Sequence, residues 1–74
     1  MALYLVELTP AAASKDEAEA LISTVNTALQ GAELIETQVA SDHKIIFVII
    51  EAENTDFAPA IVEASITTNF YAIG

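Results

Sequence analysis

Six consecutive β-formers, Ile45-Ile46-Phe47-Val48-Ile49-Ile50, constrain the fold of this chain more than any other stretch. Side chains of a strand alternate between its two faces, and here both alternating sets, Ile45/Phe47/Ile49 and Ile46/Val48/Ile50, are apolar. A strand with one wet face carries polar residues at every second place, so this one predicts cover on both sides. Only 74 residues are present to supply that cover. Folding at such a length buries roughly 60% of the surface that the unfolded chain exposes. There is no cysteine, hence no disulfide and no thiolate metal site to staple so small a core. Oligomerisation is the remaining common remedy, and the missing cover is expected from a second subunit or an apolar ligand.

Around this strand the rest of the chain, read as a single domain over 1–74, falls into short elements. Residues 3–8 predict a strand with Leu3/Leu5/Glu7 on one side and Tyr4/Val6/Leu8 on the other, stopped by Thr9-Pro10 because proline cannot continue a ladder. Ser14 and Glu17 have the spacing of a capping box. Ala18, Leu21, Ile22, Val25, Ala28 and Leu29 then follow helical periodicity up to Gly31, with Ser23, Asn26, Thr27 and Gln30 on the polar side. Residues 33–40 alternate Ile35/Thr37/Val39 against Leu34/Glu36/Gln38, as a half-exposed strand does. Ser41-Asp42-His43 supplies a turn into the apolar strand over 44–51, which makes a hairpin. Asn54, Thr55 and Asp56 offer caps for a short helix over 56–65 that accepts Pro59 in its first turn and is expected to bury Phe57, Ile61, Val62 and Ala64. Residues 67–73 predict a last strand, with Phe70 and Ala72 facing one way and Asn69, Tyr71 and Ile73 the other.

The order β-α-β-β-α-β is that of the ferredoxin-like split βαβ motif, an α+β fold. Right-handed crossovers place the first and third strands in the middle of an antiparallel four-stranded sheet, and these are the two most apolar strands. Both helices then lie on one face, leaving the other bare, and a bare apolar face usually marks an interface. Covering about 400 Å² of it would contribute about 10 kcal/mol before association entropy is deducted. A face-to-face homodimer is the simplest expectation.

With this architecture the chain resembles the small ferredoxin-like proteins that dimerise through their sheets, the dimeric α+β barrel group. More narrowly, Leu3-Tyr4-Leu5-Val6-Glu7 and Asp42-His43-Lys44-Ile45-Ile46-Phe47-Val48-Ile49-Ile50-Glu51-Ala52 are similar in pattern to a family of short bacterial proteins with a nickel-binding branch. A nickel site wants several imidazoles, and this chain has one histidine and no cysteine, so the resemblance carries over no metal ligands. Cofactor-independent monooxygenases, isomerases and decarboxylases of the wider group use His, Asn, Trp or Arg between sheet and helices. The absence of Trp and Arg here lowers that reading.

The formal charge is -9, eleven acids against Lys15 and Lys44, so a polyphosphate is repelled and nucleic-acid binding is excluded as a function class. The opening Ala2-Leu3-Tyr4-Leu5-Val6 is broken by Glu7 and lacks a basic lead-in, which reads as neither signal peptide nor membrane span; a cytoplasmic protein is expected. No phosphate loop, zinc spacing, nucleophile elbow or Asp-Ser-Leu carrier site occurs, and no cofactor is specified.

Three constellations remain. Asp42 beside His43 is a weak metal or proton-relay candidate, outweighed by an ordinary turn role because a lone pair in a turn is poorly preorganised. Glu7 and Glu51 have the chemistry of an acid–base pair, but on antiparallel strands their ends lie at opposite edges, which favours solubilising charges. Tyr4 and Tyr71, on neighbouring strands, suit a subunit contact or a ligand over the sheet. The interface or ligand-facing candidates are therefore Tyr4, Val6, Ile46, Val48, Ile50 and Tyr71. The leading expectation is a non-catalytic oligomeric binding, regulatory or assembly protein, most simply a homodimer, with a separate protein partner as a further option. The alternatives are a cofactor-independent enzyme with a pocket between the sheet and the helix that begins at Ser14, or an acidic inhibitor of another protein.

Overall fold

The structure is a computed structural model and describes residues 2–29, 31–65 and 68–74. The chain runs β1 (Ala2–Leu8), α1 (Lys15–Ala28), β2 (Ala32–Val39), β3 (Ile46–Ala52), α2 (Ala58–Ala64) and β4 (Thr68–Ala72). The strands form one antiparallel sheet in the order β2-β3-β1-β4, so the two most apolar strands are central, as expected of a ferredoxin-like α+β fold. Backbone bonds from Leu3 N–H to the Gly74 carbonyl and from Ile73 N–H to the Leu3 carbonyl carry the β1–β4 pairing past the end of β4. Gln30 and Thr67, expected on the polar side of the first helix and at the start of the last strand, lie outside the described residues.

The Ser14 hydroxyl accepts from Glu17 N–H at 3.2 Å and so caps α1. From that start Ala18, Leu21 and Val25 recur at helical spacing and are buried against the sheet. The helix stops at Ala28, and Gly31 then takes φ +70, the left-handed conformation that glycine adopts without penalty. In α2, Pro59 sits in the first turn as expected, but Phe57 holds the cap position with no side-chain bond. The Asn54 side chain accepts instead from Asp56 N–H, at 2.9 Å, and shapes the approach to the helix rather than capping it. This helix has seven residues and buries a narrow stripe centred on Ile61. Val62, expected in the core, is 54% exposed because it follows Ile61 by one residue and so points about 100° away around the helix.

One core results: Val6, Leu8, Ile46, Val48, Ile50 and Ala52 from the central strands meet Ala18, Leu21, Val25, Phe57 and Ile61. Phe57 lies between Tyr4 and Phe70, with ring centroids 5.4 and 6.1 Å away, and ties the loop before α2 to β1 and β4. Both helices contribute to this single cluster and therefore lie on the same side of the sheet.

The second strand departs from simple alternation. Its register with β3 shifts between Leu34 and Glu36, a β-bulge that takes Ile35 out of the pairing. Leu34, Thr37 and Val39 thus pair with the buried Ile50, Val48 and Ile46 and share their face, whereas Glu33, Glu36 and Gln38 pair with Glu51, Ile49 and Phe47 on the other. The expected grouping of Ile35 with Thr37 and Val39 fails at this extra residue, and Ile35 is half-exposed.

Candidate functional site

The side of the sheet away from the helices can be mapped from the strand registers, because residues paired across an antiparallel ladder point the same way. Three rows cross it from β2 to β4. One row is Gln38, Phe47, Glu7 and Asn69; the next is Glu36, Ile49, Leu5 and Tyr71; the third is Glu33, Glu51, Leu3 and, through the bond to Leu3, Ile73. An apolar band therefore runs obliquely over the face, from Phe47 through Ile49 and Leu5 to Leu3, Tyr71 and Ile73. Tyr71 and Ile73 are each about half exposed, at 49% and 50%, and Phe47, Ile49, Leu5 and Leu3 are partly covered by their neighbours.

Carboxylates occupy two opposite corners of this band. At one, Glu33 and Glu51 are direct cross-strand partners, with Glu36 nearby on β2. Like charges facing each other across a ladder destabilise it. At the other, Glu7 accepts a hydrogen bond from Asn69 Nδ2 at 3.0 Å. No lysine shares the face: Lys44 lies in the β2–β3 turn, and Lys15, on α1, makes the one ion pair found among the described residues, with Glu19 at 4.0 Å. Glu7 and Glu51 stand four residues apart along the ladder, roughly 13 Å at strand rise, so they form no acid–base pair.

The residues chosen from sequence are distributed differently from expectation. Val6, Ile46, Val48 and Ile50 are fully buried beneath the helices and belong to the core; none of them is available to a partner or ligand on the open face. Tyr4 is on that same covered side, against Phe57. Tyr71, which pairs with Leu5, is on the open one, so the two tyrosines point to opposite faces and cannot orient a common ligand. Of the six candidates only Tyr71 faces outward. Of the residues that replace them, Leu3, Leu5, Phe47 and Ile49 are the other alternating sets of the same strands, and Ile73 belongs to the set of Tyr71. Glu7 and Glu51 carried the missed signal: each extends one set, Leu3/Leu5/Glu7 or Phe47/Ile49/Glu51, and a carboxylate within a set marks the side that meets water.

Asp42 and His43 take part in the turn geometry. Asp42 Oδ1 accepts from Lys44 N–H at 3.0 Å, His43 N–H donates to the Ala40 carbonyl, and His43 adopts φ 60. Among the described residues no group of three or more His, Asp or Glu side chains is arranged to hold a metal ion. Between α1 and β2 an open groove of about 540 Å³ is lined by Glu19, Ile22, Ser23, Asn26, Leu34 and Thr37; this is the place a pocket under the first helix was expected, and it presents one titratable side chain, Glu19. No helix among the described residues is long and apolar enough to cross a membrane. Compared with protein-family models, with curated proteins and with solved structures, the chain matches none.

Proposed function

We propose that this chain is a small non-catalytic binding, regulatory or assembly protein that acts by associating, through the helix-free face of its sheet, with another folded surface. The observation that carries this reading is the apolar band itself. Leu3, Leu5, Phe47, Ile49, Tyr71 and Ile73 are contiguous across three strands, and both helices pack on the opposite side of the sheet. Apolar side chains in that density on a sheet face gain about 25 cal/mol for each Å² removed from water, and an adjoining surface is the usual means of removing it.

The test uses the isolated chain and the neutral dye Nile red, whose uncharged ring system is not repelled by the surrounding carboxylates. Dye fluorescence should rise on binding, amide shifts in the nuclear magnetic resonance spectrum should map to Leu3, Leu5, Phe47 and Ile49, and Leu5→Glu should abolish both while leaving the folded spectrum intact. A face that takes no dye in a chain that forms no complex of any size at millimolar concentration would sink the reading.

A further inference from the structure

We propose that the occupant of the open face is a basic protein surface, an apolar ridge flanked by lysine or arginine, rather than a second copy of this chain. This rests on the association reading above and adds the charge of the partner. The open face carries Glu7, Glu33, Glu36 and Glu51 and no cation. A second copy laid on it doubles the carboxylates around an apolar contact and brings no positive charge, since both lysines of the chain lie elsewhere. Desolvating like charges together opposes association, and complementary potential is what steers and selects partners at an interface.

The corner where Glu33 and Glu51 face each other points the same way. That juxtaposition is unfavourable in the free chain, and a guanidinium or ammonium group placed between the two carboxylates turns the repulsion into a bridged pair. Position matters too: the carboxylates lie on the two flanks of the apolar band, Glu7 on one and Glu33, Glu36 and Glu51 on the other, so a partner whose cations flank its own apolar ridge meets both features at once. A net charge of -9 extends the attraction beyond the contact and raises the encounter rate with a basic partner.

The probe is a synthetic β-hairpin peptide with leucine and valine on one face flanked by lysines, compared with its glutamate-flanked counterpart and titrated into the full chain at low and physiological salt. Sedimentation of the chain alone is measured first and is expected to give a monomer at tens of micromolar. The lysine-flanked peptide should bind at least about tenfold more tightly than the other and weaken as salt rises, with amide shifts on β1, β3 and β4. The triple variant Glu33→Gln, Glu36→Gln, Glu51→Gln should lose about tenfold in affinity, whereas Asp16→Gln with Glu17→Gln, on the far side of the molecule, should lose little. A chain that dimerises alone, with the dimer broken by Leu5→Glu, would overturn the basic-partner proposal and leave the association reading standing. Equal binding of the two peptides, or shifts confined to the acidic first turn of α1, would overturn the proposal as well. A monomer that binds neither the peptides nor Nile red would overturn both.

Discussion

On β3, Ile46, Val48 and Ile50 are fully buried, while Phe47 and Ile49, each a single residue away, lie on the side that no helix covers. The two sets are nearly interchangeable chemically. What separates them is geometry: both crossovers deliver their helix to the same side, and there the facing residues of β1, Tyr4, Val6 and Leu8, complete a close-packed layer under Leu21, Val25 and Ile61. Across the sheet the equivalent layer of Phe47, Ile49, Leu5 and Leu3 has neither helix over it. Apolar content in a central strand thus does not tell its two faces apart, and on β3 the helices cover one apolar set and leave the other uncovered.

The largest test of this contrast is a pair of neighbouring truncations. Ile50→Ala empties a fully buried site between the strands and the helices and should destabilise by about 2–5 kcal/mol, enough to unfold much of a small domain. Ile49→Ala, on the open face, should change stability by about 1 kcal/mol or less while lowering dye and peptide binding. Urea unfolding of both variants checks it, and similar losses in the two would mean that the open face is as tightly packed as the core.

Much of this arrangement could be read from residues alone, and the failures have physical causes. Element order followed from the strand and helix periodicities, the S-x-x-E cap and Pro10 as a breaker, and strand order from right-handed crossovers, with which the apolar content of the two central strands agrees. The choice between the two faces of β3 did not, because its periodicity is degenerate: with Ile45 to Ile50 all apolar, either parity satisfies a core. Parity is settled by partners distant in sequence, chiefly the pairing of Val48 with Val6 and of Glu51 with Leu3. The bulge at Ile35 was hidden because it uses no glycine and leaves the local pattern intact on either side. Val62 was misplaced because α2 buries only a narrow stripe at Ile61, and the next residue around the helix faces outward.

Ser14→Ala probes the covered face through the helix that covers it. Losing the hydroxyl that accepts from Glu17 N–H should lower stability by about 1 kcal/mol. Dye binding to the folded fraction should be unchanged, because α1 touches only the other side of the sheet. A smaller effect is expected, with the opposite sign, at His43. Its φ of 60 is strained for a residue with a side chain, so His43→Gly should stabilise the β2–β3 hairpin by up to about 1 kcal/mol once the greater freedom of glycine in the unfolded chain is deducted. A loss of stability on this change would give the imidazole a role beyond the turn.

The smallest expected change comes from deleting Ile35, and it bears most directly on how the two faces are kept apart. The bulge gives β2 one residue more than the pairing with β3 needs, so excising Ile35 joins Leu34 to Glu36 in ordinary alternation. Leu34 and Thr37 stay under α1, Glu33 and Glu36 stay on the open face, and no buried contact is lost, since Ile35 is half-exposed. Stability should move by about 1 kcal/mol or less, and the peptide should bind the deleted chain with the same preference for lysine. Deleting Thr37 instead removes the residue paired with Val48. If Ile35 enters the pairing to compensate, Glu36 takes the place of Thr37 opposite Val48, on the core side; if it does not, part of β2 turns over. Comparing the unfolding midpoints of the two deletions decides whether the bulge is a spare residue in the register, as the pairing indicates, or a feature the sheet requires; equal and large losses would establish the second.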